Sequence, residues 1–384
     1  MLRTTLQRSV TLGSGMSPSC LRASTSLYYM SSRTMMTSAT RTNALQDAKA
    51  EAVSTSAHTK NVLANTADVA GKEHIPVPKD IVPSEIRGDW VLFHPVYTPE
   101  ELKAVDVLHQ EAKTFPDKFA VALVKLCRLG FDFVSRYKAK PIPPNHNMSL
   151  KELRDGGYLL DDAGWLARIL FLESIAGVPG MCAATIRHLR SLRLMRRDSG
   201  WIHTLLEEAE NERMHLMTFM TIKEPSIFFR ALILGAQGVM YNMFFLSYLI
   251  SPATCHRFVG YLEEEAVYTY TRAIRELEEG RIPEWENLPA PNIAIDYWHL
   301  PPTAKMLDVL YAVRSDESTH RFVNHSLANL DNKNDVNPFA MREPDMHVKG
   351  KVIAFEREES KKYVQESYDI LENARREARE QVAK

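Results

Sequence analysis

The chain has 384 residues, 45% of them hydrophobic, which is room for a targeting segment and one bundle-sized domain with its own core. A formal net charge of -1 leaves no basic excess of the kind that nucleic-acid binders carry, so no nucleic-acid partner is expected. The four cysteines, Cys20, Cys127, Cys182 and Cys255, lie far apart and form no C-x-x-C pair, which argues against a disulfide framework and against a zinc site.

The first 46 residues hold Arg3, Arg8, Arg22, Arg33 and Arg41 among many Ser and Thr, with no acid before Asp47. That is transit-peptide composition, and no apolar core follows the first arginines to make a secretory signal. Residues 1–60 are read as transit peptide and disordered arm, and 61–113, with Pro76, Pro78, Pro83 and Pro95, as an extended N-terminal arm. From Phe119 to Val134 the apolar residues Phe119, Leu123, Leu126 and Phe133 share a helical period with Lys118, Lys125, Arg128 and Asp132 opposite them. An apolar face with basic edges suits a membrane surface, and an ordinary core helix gives the same pattern.

The breaks at Asp198-Ser199-Gly200, Glu224-Pro225-Ser226, Ser251-Pro252 and Pro301-Pro302-Thr303 each offer a cap residue or a helix-starting proline. They predict helices over 157–196, 201–222, 226–250, 253–279 and 303–330, with a proline-rich loop at 281–302. The helical bundle is placed at 114–335. Residues 336–384 form a charged C-terminal tail, helical and solvated from Val352 onward.

Two places repeat one pattern, Glu212-Arg213-Met214-His215 and Glu317-Ser318-Thr319-His320, both Glu-x-x-His on predicted helices. Residues three apart share a helix face, so each pair can serve one metal, and two such helices plus one Glu from each of two others make the di-iron carboxylate arrangement of helix bundles. Glu173 is the first additional candidate, because it interrupts the apolar run Ile169–Ala176, where a lone carboxylate is costly. The second lies within Glu263-Glu264-Glu265, and the residues themselves do not choose among the three. Four carboxylates and two neutral imidazoles balance two ferrous ions.

Leu172-Glu173-Ser174, Ala176–Met181, Asn211–Leu216, Leu262–Ala266 and Arg314–Arg321 together resemble the signature stretches of the alternative oxidases, and the resemblance runs from about Val96 to about Leu330. It implies an all-α, ferritin-like four-helix di-iron bundle with additional amphipathic membrane-binding helices. The family's iron ligands fall on Glu173, Glu212, His215, Glu263, Glu317 and His320. Glu263 is preferred because the family's ligand stands seven residues before its redox tyrosine, here Tyr270; read alone, Tyr270 is a buried tyrosine with a partner. The family's quinol pocket maps onto Arg168, Leu172, Glu265 and Thr269, its hydrogen-bonding positions around the ligands onto Asn211 and Asp316, and an aromatic pair onto Tyr297-Trp298. One departure is Thr319, where the family carries the first of two adjacent histidines; His320 keeps its spacing to Glu317. His188, His203, His256, His299 and His325 are read as surface or supporting residues.

The implied activity is cyanide-insensitive, non-proton-pumping oxidation of ubiquinol with reduction of oxygen to water, at two iron ions. A di-iron quinone hydroxylase, a plastid-type quinol oxidase and ferritin-like iron storage are the alternatives. Residues 231–250 carry no charge and are long enough to span a bilayer. The helices expected to pack beside them carry Glu207, Glu208, Glu210, Arg272, Arg275 and Glu278, so the expectation is attachment to a membrane without spanning it; the resemblance implies the matrix side of the mitochondrial inner membrane and a homodimer. The family's plant members use a regulatory cysteine ahead of the bundle. None stands here between Cys20 and Cys127, so thiol-based activation is not expected.

Overall fold

The computed structural model describes His94 and residues 96–138, 140–144 and 147–382. The transit-peptide reading, Cys20 and most of the extended arm therefore lie outside the described residues. Twelve helices are present among the described residues: α1 (Pro99–Lys103), α2 (Phe115–Ser135), α3 (Leu150–Asp155), α4 (Asp162–Leu194), α5 (Trp201–Met220), α6 (Ile227–Ile250), α7 (Pro252–Glu278), α8 (Pro283–Glu286), α9 (Asn292–Trp298), α10 (Met306–Ala328), α11 (Met346–Lys349) and α12 (Arg357–Val382). No strand occurs among them, and one isolated bridge joins Pro289 and Lys305.

The starts are set by short polar side chains that satisfy the first free N–H groups. Thr114 and Asp117 cap α2 reciprocally, Asp161 caps α4, Ser226 caps α6 and Ser251 caps α7. The segment expected to be a loop at 281–302 instead contains α8 and α9. Their prolines stand at the very start of each helix, where the missing N–H is no loss, and Trp285, Ala294 and Trp298 bury the result.

The four long helices of the centre pack as two antiparallel pairs. Along α4 and α5, Glu173 faces His215 while Gly180 faces Leu205; along α7 and α10, Arg257 faces His325 while Glu278 faces Tyr311. The first seam is close because of two glycines. A β-carbon on Gly180 would lie 2.7 Å from the Leu205 carbonyl oxygen, and one on Gly177 would lie 3.3 Å from that of Ala209. The second seam has the same device at Gly260, where a β-carbon would meet the His325 ring at 2.6 Å.

Two helices flank the bundle, α2 over α7 and α6 over α4. Both leave large apolar residues exposed: Phe115, Phe119, Leu126, Leu129 and Phe133 on α2, and Phe228, Leu234, Val239, Leu246 and Ile250 among others on α6. By length and composition α4 and α6 are both apolar enough to cross a bilayer. They differ in burial, since α4 carries the core residues Trp165, Ile169 and Leu170, whereas Phe244 and Tyr248 are the buried residues of α6. The C-terminal segment returns to the bundle through Phe339, Met346 and Phe355 before α12 runs outward, exposed from Tyr368 to Glu377.

Candidate metal centre

Six side chains predicted as ligands converge in the middle of the bundle. Glu173, Glu212, His215 and Glu317 form one group, and Glu212, Glu263, Glu317 and His320 a second, with ligand atoms inside each group within 4.8 Å of one another. All are buried, from 0% exposure at His215 to 6% at His320. Glu212 and Glu317 belong to both groups, so the arrangement offers two adjacent positions joined by two carboxylates.

His215 defines the first position. Its Nδ1 lies 3.2 Å from Glu173, 3.6 Å from Glu212 and 3.3 Å from Glu317, while Nε2 lies 3.0 Å from Asp316. His320 defines the second, with Nδ1 2.8 Å from Glu212 and 3.7 Å from Glu317. Both carboxylate oxygens of Glu212 are buried with no hydrogen-bond donor. An anion left so is costly unless a cation completes it, and a donor set of four carboxylates and two imidazoles suits iron. The residues present therefore fit a pair of metal ions.

Burial, together with the charge of Glu212 and Glu317, raises the Glu173 carboxyl to about 8 and pushes Glu263 well above the usual range. Metal binding then has to displace protons. Tyr270, fully buried, donates its hydroxyl to Glu173. Burial and the neighbouring Glu173 hold its phenol well above the ordinary value, so it is protonated.

Asp316 is the hub beside the metal positions. Asn211 Nδ2 and Trp298 Nε1 each donate to it at 2.8 Å, and the Tyr97 hydroxyl donates at 2.6 Å. Burial opposes its charge, and His94 and His215 overcome this to hold it well below the usual carboxylate range. Asn211 also donates to the Tyr297 hydroxyl at 2.9 Å. The sequence named Asp316, Asn211, Tyr297 and Trp298 but not His94 or Tyr97. Those two lie more than 200 positions away, within the segment read as an extended arm, and no local pattern marks them.

The acidic triplet divides three ways. Glu263 joins the metal group; Glu264 accepts from the Gln110 N–H at 2.8 Å and meets His325 at 2.9 Å and His109 at 2.6 Å; Glu265 pairs with Arg128 of α2. The four residues assigned to a quinol pocket form two pairs, each one turn apart, on α4 and α7, and Arg168 and Glu265 meet α2. Arg168 reaches Ser135 at 3.3 Å and stacks over Phe131 at 4.4 Å, and Leu172 is 38% exposed. Glu265 lines a cleft of about 690 Å³ between α2 and α7, whereas Arg168, Leu172 and Thr269 do not. Thr319, the departure from the family's paired histidines, bonds back to the Ser315 carbonyl within α10.

An all-α bundle in which four helices gather four buried carboxylates and two imidazoles in groups that could hold metal ions has the architecture of the di-iron carboxylate helix bundles. Within that class, residues 97–329 match the sequence pattern of the family described as alternative oxidase. The protein is 57% identical over 283 residues to the mitochondrial alternative oxidase of Cryptococcus neoformans var. grubii, covering 73% of this chain and 71% of that one. It is 52% identical to that of Emericella nidulans (74% and 78% covered) and 50% identical to that of Aspergillus niger (74% and 79%). The chain belongs to the alternative oxidase family.

Proposed function

We propose that this protein is a mitochondrial ubiquinol oxidase that reduces oxygen to water without pumping protons, using two irons. The observation that carries the reading is the pair of overlapping ligand groups sharing Glu212 and Glu317, with both Glu212 oxygens lacking a donor. When bound, the iron pair supplies oxygen binding and electron transfer. Glu173, Glu212, His215 and Glu317 would hold one ion, and Glu212, Glu263, Glu317 and His320 the other. Two ubiquinols give four electrons and four protons to one oxygen, leaving two quinones and two waters.

Each protein group has a task that follows from its surroundings. Asp316 accepts from His215 Nε2 and so leaves the Nδ1 lone pair free for an ion that Glu173, Glu212 and Glu317 would share with it. Tyr270 keeps its own proton, directed at the Glu173 carboxylate, and can release it together with an electron, being restored by quinol. Arg168, Leu172, Glu265 and Thr269 receive the quinol head beneath α2, within reach of lipid on the exposed faces of α2 and α6. We place these faces on the matrix side of the inner mitochondrial membrane, in a homodimer.

The test is purified full-length protein with iron content and oxygen uptake measured together, using a soluble quinol with and without cyanide. The expected result is two irons per chain, one for each ligand group, and cyanide-insensitive uptake. Changing Glu212, His215, Glu317 or His320 to Ala is expected to lower iron well below that and stop oxidation. A detergent-free soluble shell that stores iron would instead establish the ferritin-like alternative.

A further inference from the structure

On the side of the bundle formed by α5, α10 and the segment around Ala340, a second cleft of about 640 Å³ opens to solvent. Glu207, Glu210 and Glu343 stand exposed at its edge, while Glu208, Asn211 and His320 line it from within at 6%, 7% and 6% exposure. Glu343 is paired with Lys349 at 2.9 Å and Glu207 with His203 at 3.1 Å. Arg342, the arginine among the described lining residues, is turned toward Tyr363 and Glu366. The described lining thus sets Glu207, Glu208, Glu210, Glu343 and Asp316 against Arg342, which turns away, with His203 beside Glu207, and the cleft is acidic on balance.

Two features connect it to the metal centre. His320 lines the cleft and also belongs to the second ligand group. Asn211 gives its amide hydrogens to Asp316 and Tyr297, which fixes the orientation of the amide and leaves Oδ1 buried with no partner. A carbonyl oxygen in that condition is suited to a passing cation. Glu208 stands one helical turn before Glu212 on α5, a rise of about 6 Å, and so spaces the wall between the edge and the ligands.

We infer that this cleft is the route by which ferrous ions enter the centre, drawn in by Glu207 and Glu210 and passed along Glu208 and Asn211 to His320. The inference rests on the di-iron reading above. A cleft lined by one sign of charge raises the local concentration of the opposite ion, and the effect fades as salt screens it.

The experiment uses detergent-solubilised full-length protein, depleted of iron by a chelator under reduction and then given ferrous iron without oxygen. Iron retained per chain is measured at timed intervals after rapid desalting. The Glu207→Gln, Glu210→Gln double variant, altered only at exposed positions, is expected to load roughly five-fold more slowly at low ionic strength, to converge with the parent as salt is raised, and to reach the same final iron content. Glu377→Gln, Glu380→Gln, with the same charge change on the exposed end of α12, is expected to load at the parent rate. A double variant at Glu207 and Glu210 that loads at the parent rate overturns the route, and so does equal slowing in the α12 control. A parent that holds no iron removes the di-iron reading and the route with it, so the two failures are distinguishable.

Discussion

The Asp316 carboxylate lies 3.0 Å from Nε2 of His215, on the far side of the ring from the Nδ1 that faces three glutamates. With Asn211, Trp298 and Tyr97 also donating to it, Asp316 is bound to remain an acceptor and thereby sets the histidine tautomer. Asp316→Asn presents an amide of the same size with one acceptor fewer. Iron affinity is expected to fall roughly ten- to a hundred-fold while helicity is kept. Titration of bound iron against a series of chelators measures this, and retention equal to the parent would remove Asp316 from the positioning role.

Tyr270→Phe is expected to leave iron content and fold intact and to remove most quinol oxidation. The hydroxyl that donates to Glu173 is lost, while the ring, packed against Phe219, stays. If the hydroxyl served packing alone, its loss would cost about 1 kcal/mol of stability and spare the rate. Iron content, melting temperature and oxidation rate on one purified variant separate the two.

Stability should decline in mild acid through His256. Asn324 donates its amide hydrogens to Glu208 and to the His320 carbonyl, so its oxygen accepts from His256 Nδ1–H at 3.0 Å and the Tyr248 hydroxyl donates to Nε2 at 3.1 Å. That network fits the neutral ring, and burial lowers the imidazole from 6.5 to about 4. A folded value below the unfolded one means a contribution complete above 6.5 and lost as pH falls toward 4, roughly 3 kcal/mol at most. Denaturant unfolding of parent and His256→Gln across that range should show a smaller loss in the variant; parallel curves would count against it.

Membrane attachment should depend on the outward side of α2. Phe119 and Leu126, two turns apart, are 55% and 64% exposed. Changing both to Glu removes apolar area and adds charge, so flotation with liposomes should fall more than ten-fold while iron content is unchanged. Undiminished flotation would move the attachment to α6 or elsewhere.

Much of this cluster was legible because the candidate ligands follow helical spacing. Glu212 with His215 and Glu317 with His320 are neighbours on one face, and Glu173 advertised itself as a charge in an apolar run. The triplet was not legible from its residues, since consecutive positions on a helix point about 100° apart and only the neighbouring helices reveal which points inward. Glu263 finds the centre, Glu264 finds His325 and Glu265 finds Arg128. His94 and Tyr97 were invisible for a different reason: their contacts to Asp316 are long-range, and the segment carrying them has no periodicity to read.

Gly177 and Gly180 give the centre a dimension as well as a shape. Glu173 on α4 and His215 on α5 can meet only if their backbones stand at one separation, and that separation is fixed where α4 offers hydrogen in place of methyl against the carbonyls of Ala209 and Leu205. An alanine at Gly180 would wedge the two helices apart two turns away from Glu173, lengthening the span that His215 and Glu173 must close without touching either ligand. The width of the Glu173–His215 pair is thus gauged by a backbone contact two turns away, and a single methyl there would be felt as a wider gap between those two side chains.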